Sequence, residues 1–272
     1  MPSREDRAKA ALVDLLSLWE SDRLPAAIAQ TVIHRLESDA PSTDWSLGNQ
    51  LIMIMSGTDD ARGFKQWNAV GRTVKKGAKA VYILAPRSKK ITERNEKGQQ
   101  EEKYICTGFL GIPVFRYEDT EGEEIVRPDY RPAELPPLHG IAERLGYNVR
   151  YAPFTKNYLG YCNSGMVKEV VLCSHEMRVF FHELAHAAHG SIEDLYSGQN
   201  PRQEIIAETV SAVLCKLYGI EGYERRTIDY IRRYANGESP AQAVAKHLGD
   251  VQKVLDVILS EARLAEQEEV VA

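Results

Sequence analysis

Residues 178–190 read RVFFHELAHAAHG, and this stretch constrains the fold more than any other. It contains no proline, its one glycine closes it, and Val179, Phe180, Leu184, Ala187 and Ala188 give it an apolar body. Those are the marks of a buried helix. On a helix, residues four apart lie one turn apart on one face, so His182 and His186 present two imidazoles to a single point. Glu183 sits beside the first of them and is placed to deprotonate a water. Together they form H-E-x-x-H, the spacing of a zinc hydrolase, with His182 and His186 as metal ligands and Glu183 as catalytic base. His189 does not extend the pattern into its longer form, which needs glycine at that position and histidine where Ile192 stands. It is expected to lie outside the ligand set. Ser174 is expected to cap the helix.

A catalytic zinc has three protein ligands and one open position. The third is expected from a following helix. Asn200 and Pro201 are a cap and a first-turn proline, and the helix they start reads EIIAETVSAVLCKLYG, closed by Gly219. Glu204 and Glu208 fall one turn apart within its apolar stripe. Two acids on a buried face need a cation or hydrogen-bond donors. One as ligand and the other as partner of a ligand histidine satisfies this, and both orders stand on spacing alone. Zn2+ is the expected metal, and Mn2+ or Co2+ also suits two imidazoles and a carboxylate.

The first half has a different character. The chain carries a net charge of −5, yet residues 61–105 hold 12 Lys/Arg against 4 Glu and no Asp. Such a local excess points to a polyanionic partner. Phe64 and Trp67 are interleaved with Arg72, Lys75, Lys76 and Lys79. Cations for phosphates and flat rings for unstacked bases are what single-stranded nucleic acid requires. The alternative is that Trp67 belongs to the core and the lysines only solubilise.

Periodicity predicts helices over 4–20, 25–37, 45–57 and 64–70, although the apolar run 51–55 also fits a buried strand. His34 is read as a structural histidine. A strand at 80–85 is expected to pair with a returning strand within 104–117, across a polar hairpin tip at 88–103. Residues 119–137 are acidic and hold Pro128, Pro132, Pro136 and Pro137. Short strands at 147–152, 159–165 and 167–173 precede the H-E-x-x-H helix, with Asn163-Ser164-Gly165 as a turn. The fold class is α+β. A small helical and β-hairpin domain (1–125) leads through a Pro-rich linker (126–137) to a zincin-like α+β metallopeptidase domain (138–272).

No apolar run approaches the roughly 18 residues of a membrane span. The first ten residues are charged and do not read as a secretory signal. Cys106, Cys162, Cys173 and Cys215 form no C-x-x-C pair and read as free thiols. A cytoplasmic protein with no membrane partner is expected.

Two sets of motifs resemble one known family. WSLGNQLIMIMS (45–56) and FKQWNAVGRTVKKGAKAVYIL (64–84) resemble the first half of ArdC-type antirestriction proteins of plasmids and phages, above all in the turn from Val74 to Lys79. H-E-L-A-H followed by the E-x-x-A-E-x-x-x-A-x-L of residues 204–214 resembles their second half and the wider ImmA/IrrE peptidase group. The resemblance implies an N-terminal single-stranded DNA-binding domain and a C-terminal zincin-like metallopeptidase, with Glu204 as third ligand and Glu208 beside it. It implies an antirestriction role on a mobile element, with a peptide or protein substrate. Two other roles are compatible with it: a non-proteolytic DNA-protection protein with a structural metal site, and a peptidase that cleaves a repressor. Tyr158 and Tyr161 are candidate oxyanion donors.

Overall fold

In the computed structural model the ambiguous run at 51–55 is helical, and every one of its side chains is buried. The structure describes residues 2–20, 23–94, 100–155, 157–196 and 198–271. The middle of the expected hairpin tip, 95–99, lies outside the described residues. The chain is mixed α+β and divides into two units: Met1–Tyr130 with Pro153–Asn157, and Arg131–Ala152 with Tyr158–Ala272. No described helix is long and apolar enough to cross a membrane.

The first unit contains α1 (Arg4–Glu20), α2 (Leu24–Glu37), α3 (Leu47–Met55), β1 (Ala61–Arg62), α4 (Phe64–Ala69), β2 (Arg72–Val74), β3 (Val81–Arg94), β4 (Gln100–Arg116) and β5 (Thr120–Gly122). One sheet has the order β1-β4-β3, and β2 pairs with β5. Strands β3 and β4 pair antiparallel from Val81↔Val114 to Arg94↔Gln100. They are much longer than the strand expected at 80–85. The polar stretch read as a loop is largely ribbon, because a two-stranded ladder satisfies its own backbone without a core.

Two residues fix the inner part of this hairpin. Asn49, on α3, donates from Nδ2 to the Leu84 carbonyl (2.9 Å) and accepts from the Leu84 amide (2.7 Å). That closes the edge of β3 at one point, where an open edge would otherwise invite pairing. Gly111 on β4 lies under α1: a Cβ there would stand 3.1 Å from the Arg4 carbonyl and 3.2 Å from Arg7 Cβ. Only a glycine lets the helix approach so closely. Beyond the register shift between Pro86 and Ser88 the ribbon is exposed, with Tyr104 71% and Ile105 43% accessible.

The second unit contains α5 (His139–Arg144), β6 (Asn148–Tyr151), β7 (Gly160–Asn163), β8 (Glu169–Leu172), α6 (Met177–Ile192), α7 (Pro201–Leu217), α8 (Glu224–Tyr234), α9 (Pro240–Ala245) and α10 (Leu248–Val271). Its sheet has the order β6-β8-β7. The β6/β8 pair is parallel and β7/β8 antiparallel, so β7 is an edge strand. Val179, Phe180, Phe181, Leu184, Ala187 and Ala188 of α6 lie in one core with Val170 and Leu172 of β8, Ile206 and Val210 of α7, and Val254 and Ile258 of α10. Ser174 does not cap α6. Its hydroxyl accepts from the Glu176 amide, and the helix begins only at Met177. Asn200 does cap α7, accepting from the Arg202 and Gln203 amides.

Candidate metal centre

Helices α6 and α7 pack together in one core, which brings their polar positions close to one another. His182, Glu183, Glu204 and Glu208 are all buried. His182 Nε2 and His186 Nε2 lie 3.2 Å apart. Glu204 Oε2 is 3.4 Å from His182 Nε2, and its Oε1 is 3.9 Å from His186 Nε2. Donors around a metal at about 2.0–2.1 Å in a tetrahedron stand about 3.3 Å from each other. The three side chains therefore fit one divalent ion. Among the described residues, His182, His186 and Glu204 form a group whose ligand atoms all lie within 4.8 Å of one another.

Glu208 takes the other role. Its Oε2 accepts from His182 Nδ1 at 3.1 Å, and its Oε1 faces Thr227 Oγ1 at 2.8 Å and Arg178 Nη1 at 3.4 Å. A proton held on Nδ1 turns the lone pair of Nε2 towards the cluster. Spacing left two orders for Glu204 and Glu208, and the geometry brings Glu204 to the point shared by His182 and His186 and sets Glu208 against His182 Nδ1.

The charges agree with this assignment. Burial opposes the cationic form of His182, but hydrogen bonds to Glu204 and Glu208 and the charges of Glu183 and Glu208 outweigh it and raise its pKa to about 10. Burial, with the charge of His182, lowers His186 to about 3. Burial raises Glu183 to about 7, near the range that suits a general base. Burial also works against ionised Glu204, yet the hydrogen bond from His182 and the charges of both histidines hold it below the usual glutamate range. Three carboxylates around two imidazoles in a buried site call for a cation.

Glu183 lies against β7. A Cβ at Gly160 would stand 3.0 Å from its Cγ and its Oε1. Position 160 is thus closed to larger residues without displacing the base. The alternation of β7 places Tyr161 on the opposite face from Gly160. Its hydroxyl donates to Glu169 (3.1 Å), and Tyr158 packs edge-on against its ring. Tyr230 of α8 also reaches the site, its hydroxyl donating to Glu204 Oε2 at 2.6 Å. It belongs to no motif. The only sequence signal is a hydroxyl pair, Thr227 and Tyr230, at helical spacing. His189 is buried, with Nε2 2.9 Å from Glu193, outside the ligand group as expected.

The basic residues of the first unit divide. Lys75, Lys76 and Lys79 are exposed on the turn between β2 and β3, and Phe64 is 51% exposed. Trp67 and Arg72 correct the expectation of DNA contact. Trp67 is fully buried, its Nε1 donating to the Phe115 carbonyl at 2.8 Å. Arg72 is buried over the Tyr117 ring, bonded to Thr120 Oγ1 and to the Gly122 and Glu123 carbonyls. Both fall on the inward side of a short element, and neither offers a base or phosphate a surface. His34 is structural, with Nε2 2.9 Å from the buried Ser42 hydroxyl.

Among solved structures the chain is similar to the antirestriction ArdC protein from the R388 plasmid. Its metal-free crystal structure is 16% identical, with 79% of this chain and 84% of that chain covered at a TM-score of 0.33. Its Mn(II)-bound structure is 18% identical over the same shares, at a TM-score of 0.34. A likeness this remote assigns no role to any residue. No family model matches the chain, and no curated protein matches it.

Proposed function

We propose that the second unit is a zincin-like, zinc-dependent peptidase, and that the first unit binds single-stranded DNA in the service of an antirestriction role. The convergence of His182, His186 and Glu204 donor atoms beside buried Glu183 carries the peptidase reading. The antirestriction role rests on the family motifs at 45–56, 64–84 and 204–214.

A zinc ion bound there would supply Lewis-acid activation of a water and of a peptide carbonyl. Glu183 takes the proton of the attacking water and delivers it to the leaving amine. Its raised pKa suits both transfers. Glu208 and His182 share the proton on Nδ1 and keep Nε2 directed at the ligand point. In the first unit, Lys75, Lys76 and Lys79 meet phosphates, and Phe64 offers an exposed ring for stacking.

The test compares wild type with Glu183→Gln and His186→Ala for zinc content, cleavage of an unfolded protein such as casein, and protection of single-stranded DNA from a restriction nuclease. Peptidase chemistry predicts that Glu183→Gln keeps zinc and loses cleavage. If cleavage survives in that variant, the peptidase reading fails. If protection survives without cleavage, the DNA-binding unit serves antirestriction by itself.

A further inference from the structure

We propose that Tyr230 is a positioning residue of the metal centre, and that α8 clamps both of its carboxylates through a two-rung ladder of hydroxyls. The inference rests on the metal-centre reading above and extends it to a helix that no motif marks.

Glu204 and Glu208 stand one turn apart on α7. Thr227 and Tyr230 stand one turn apart on the facing side of α8. Each hydroxyl meets one carboxylate: Thr227 Oγ1 lies 2.8 Å from Glu208 Oε1, and Tyr230 Oη lies 2.6 Å from Glu204 Oε2. The Tyr230 ring also stands edge-on to the His182 imidazole, with centroids 5.4 Å apart, and the tilted Tyr234 ring lies 5.1 Å from it. One side chain thus touches two of the three ligand residues.

The two rungs are not equivalent. Glu208 has further partners in His182 and Arg178. Beyond the histidines it would share a metal with, Glu204 has Tyr230 as its hydrogen-bond donor. A carboxylate has two oxygens, each able to take a metal. A phenol fixed on Oε2 limits how that oxygen can bind and favours a single metal–oxygen bond. Without the phenol, Glu204 is free to rotate or to chelate through both oxygens. Tyr230 therefore controls the coordination number, and docking of α8 is coupled to metal loading.

The experiment titrates the full chain with Co2+, whose visible absorption reports coordination number and whose titration reports affinity. Tyr230→Phe keeps the ring and removes the hydroxyl. It is expected to weaken Co2+ binding by about 10- to 100-fold, the usual effect of losing a ligand's hydrogen-bond partner. Its Co2+ bands should weaken as a fifth donor enters. Thr227→Val should change affinity by less, because Glu208 retains His182 and Arg178. Hydrogen exchange gives a second readout: loading should protect α8 amides in wild type, and that gain should shrink in Tyr230→Phe. Wild-type affinity and an unchanged spectrum in Tyr230→Phe would overturn the proposal while leaving the metal centre standing. Equal Co2+ uptake by wild type and His186→Ala would overturn the metal centre, and the role of Tyr230 with it.

Discussion

The candidate functional charges are placed differently in the two units. The second buries His182, Glu183, Glu204 and Glu208 among apolar helices, where His182, Glu204 and Glu208 are each held by a named partner. The first places Lys75, Lys76 and Lys79 on an exposed turn and keeps Trp67 and Arg72 inside. Buried charges must be paired, so they are fixed to within fractions of an ångström and their roles can be read from distances. Exposed lysines are solvated, and they define an electrostatic footprint more than a fixed geometry. The candidate metal centre is thus specified residue by residue, while the proposed polyanion surface is specified by sign and position.

The largest expected effect falls at Glu183. Glu183→Gln should cut peptide hydrolysis by about 10²- to 10⁴-fold, the span of general-base contributions. Metal content and DNA affinity should stay at wild-type levels, as checked by elemental analysis and by anisotropy of a labelled oligonucleotide. In the first unit the matching large effect falls on stability. Trp67→Ala should destabilise by about 3–5 kcal/mol through loss of its buried ring, measured by denaturant unfolding. If it instead weakens DNA binding at unchanged stability, Trp67 belongs to the DNA surface after all.

Gly160→Ala tests how tightly the base is seated. The added Cβ pushes on Glu183, and a misplacement near 1 Å costs about 10²-fold in rate. The rate should drop with metal affinity preserved, which separates β7 from the ligand set. Charge reversal of Lys75, Lys76 and Lys79 together should weaken single-strand binding and flatten its salt dependence. The slope of log affinity against log salt should fall by up to about 0.7 for each phosphate no longer neutralised. Stability should change by no more than about 0.5 kcal/mol at these exposed sites. An unchanged salt slope would remove this turn from the DNA surface.

The smallest effect is in pH. Free of metal, His182 holds its proton up to about pH 10. Metal must displace that proton, so apparent affinity should rise with pH by about one log unit per unit below 10 and level off above it. Calorimetry in buffers of different ionisation enthalpy should show one proton released per ion near neutrality. The same raised pKa means that His182 stabilises the metal-free fold fully below its unfolded value of about 6.5. That contribution is lost as pH rises through 10.

Much of the site was legible because helical spacing is local. His182, Glu183 and His186 lie within five residues of one helix, and Asn200, Pro201 and Gly219 bound the next by rules that involve only their neighbours. The order of Glu204 and Glu208 was not legible from spacing, because both lie on the same stripe and only the position of α6 distinguishes them. The burial of Trp67 and Arg72 is not legible in the sequence for a related reason. Their composition fits nucleic acid, but inward or outward direction on α4 and β2 depends on what packs there. The hairpin was underestimated because polar residues that read as loop also serve on a ribbon whose ladder satisfies itself.

By itself, the sequence determined which groups are present: two imidazoles at one-turn spacing with a glutamate beside the first, an acid pair on a later helix, and a basic segment far from them in the chain. Tertiary structure alone decided which acid faces the ligand point, that Gly160 must yield to Glu183, and that Thr227 and Tyr230 brace the centre from α8. The physical reason is range. Periodicity, capping and turn residues act within a few positions of the chain, whereas hydrogen bonds between residues 19 and 26 positions apart on different helices exist only once the core has packed them together.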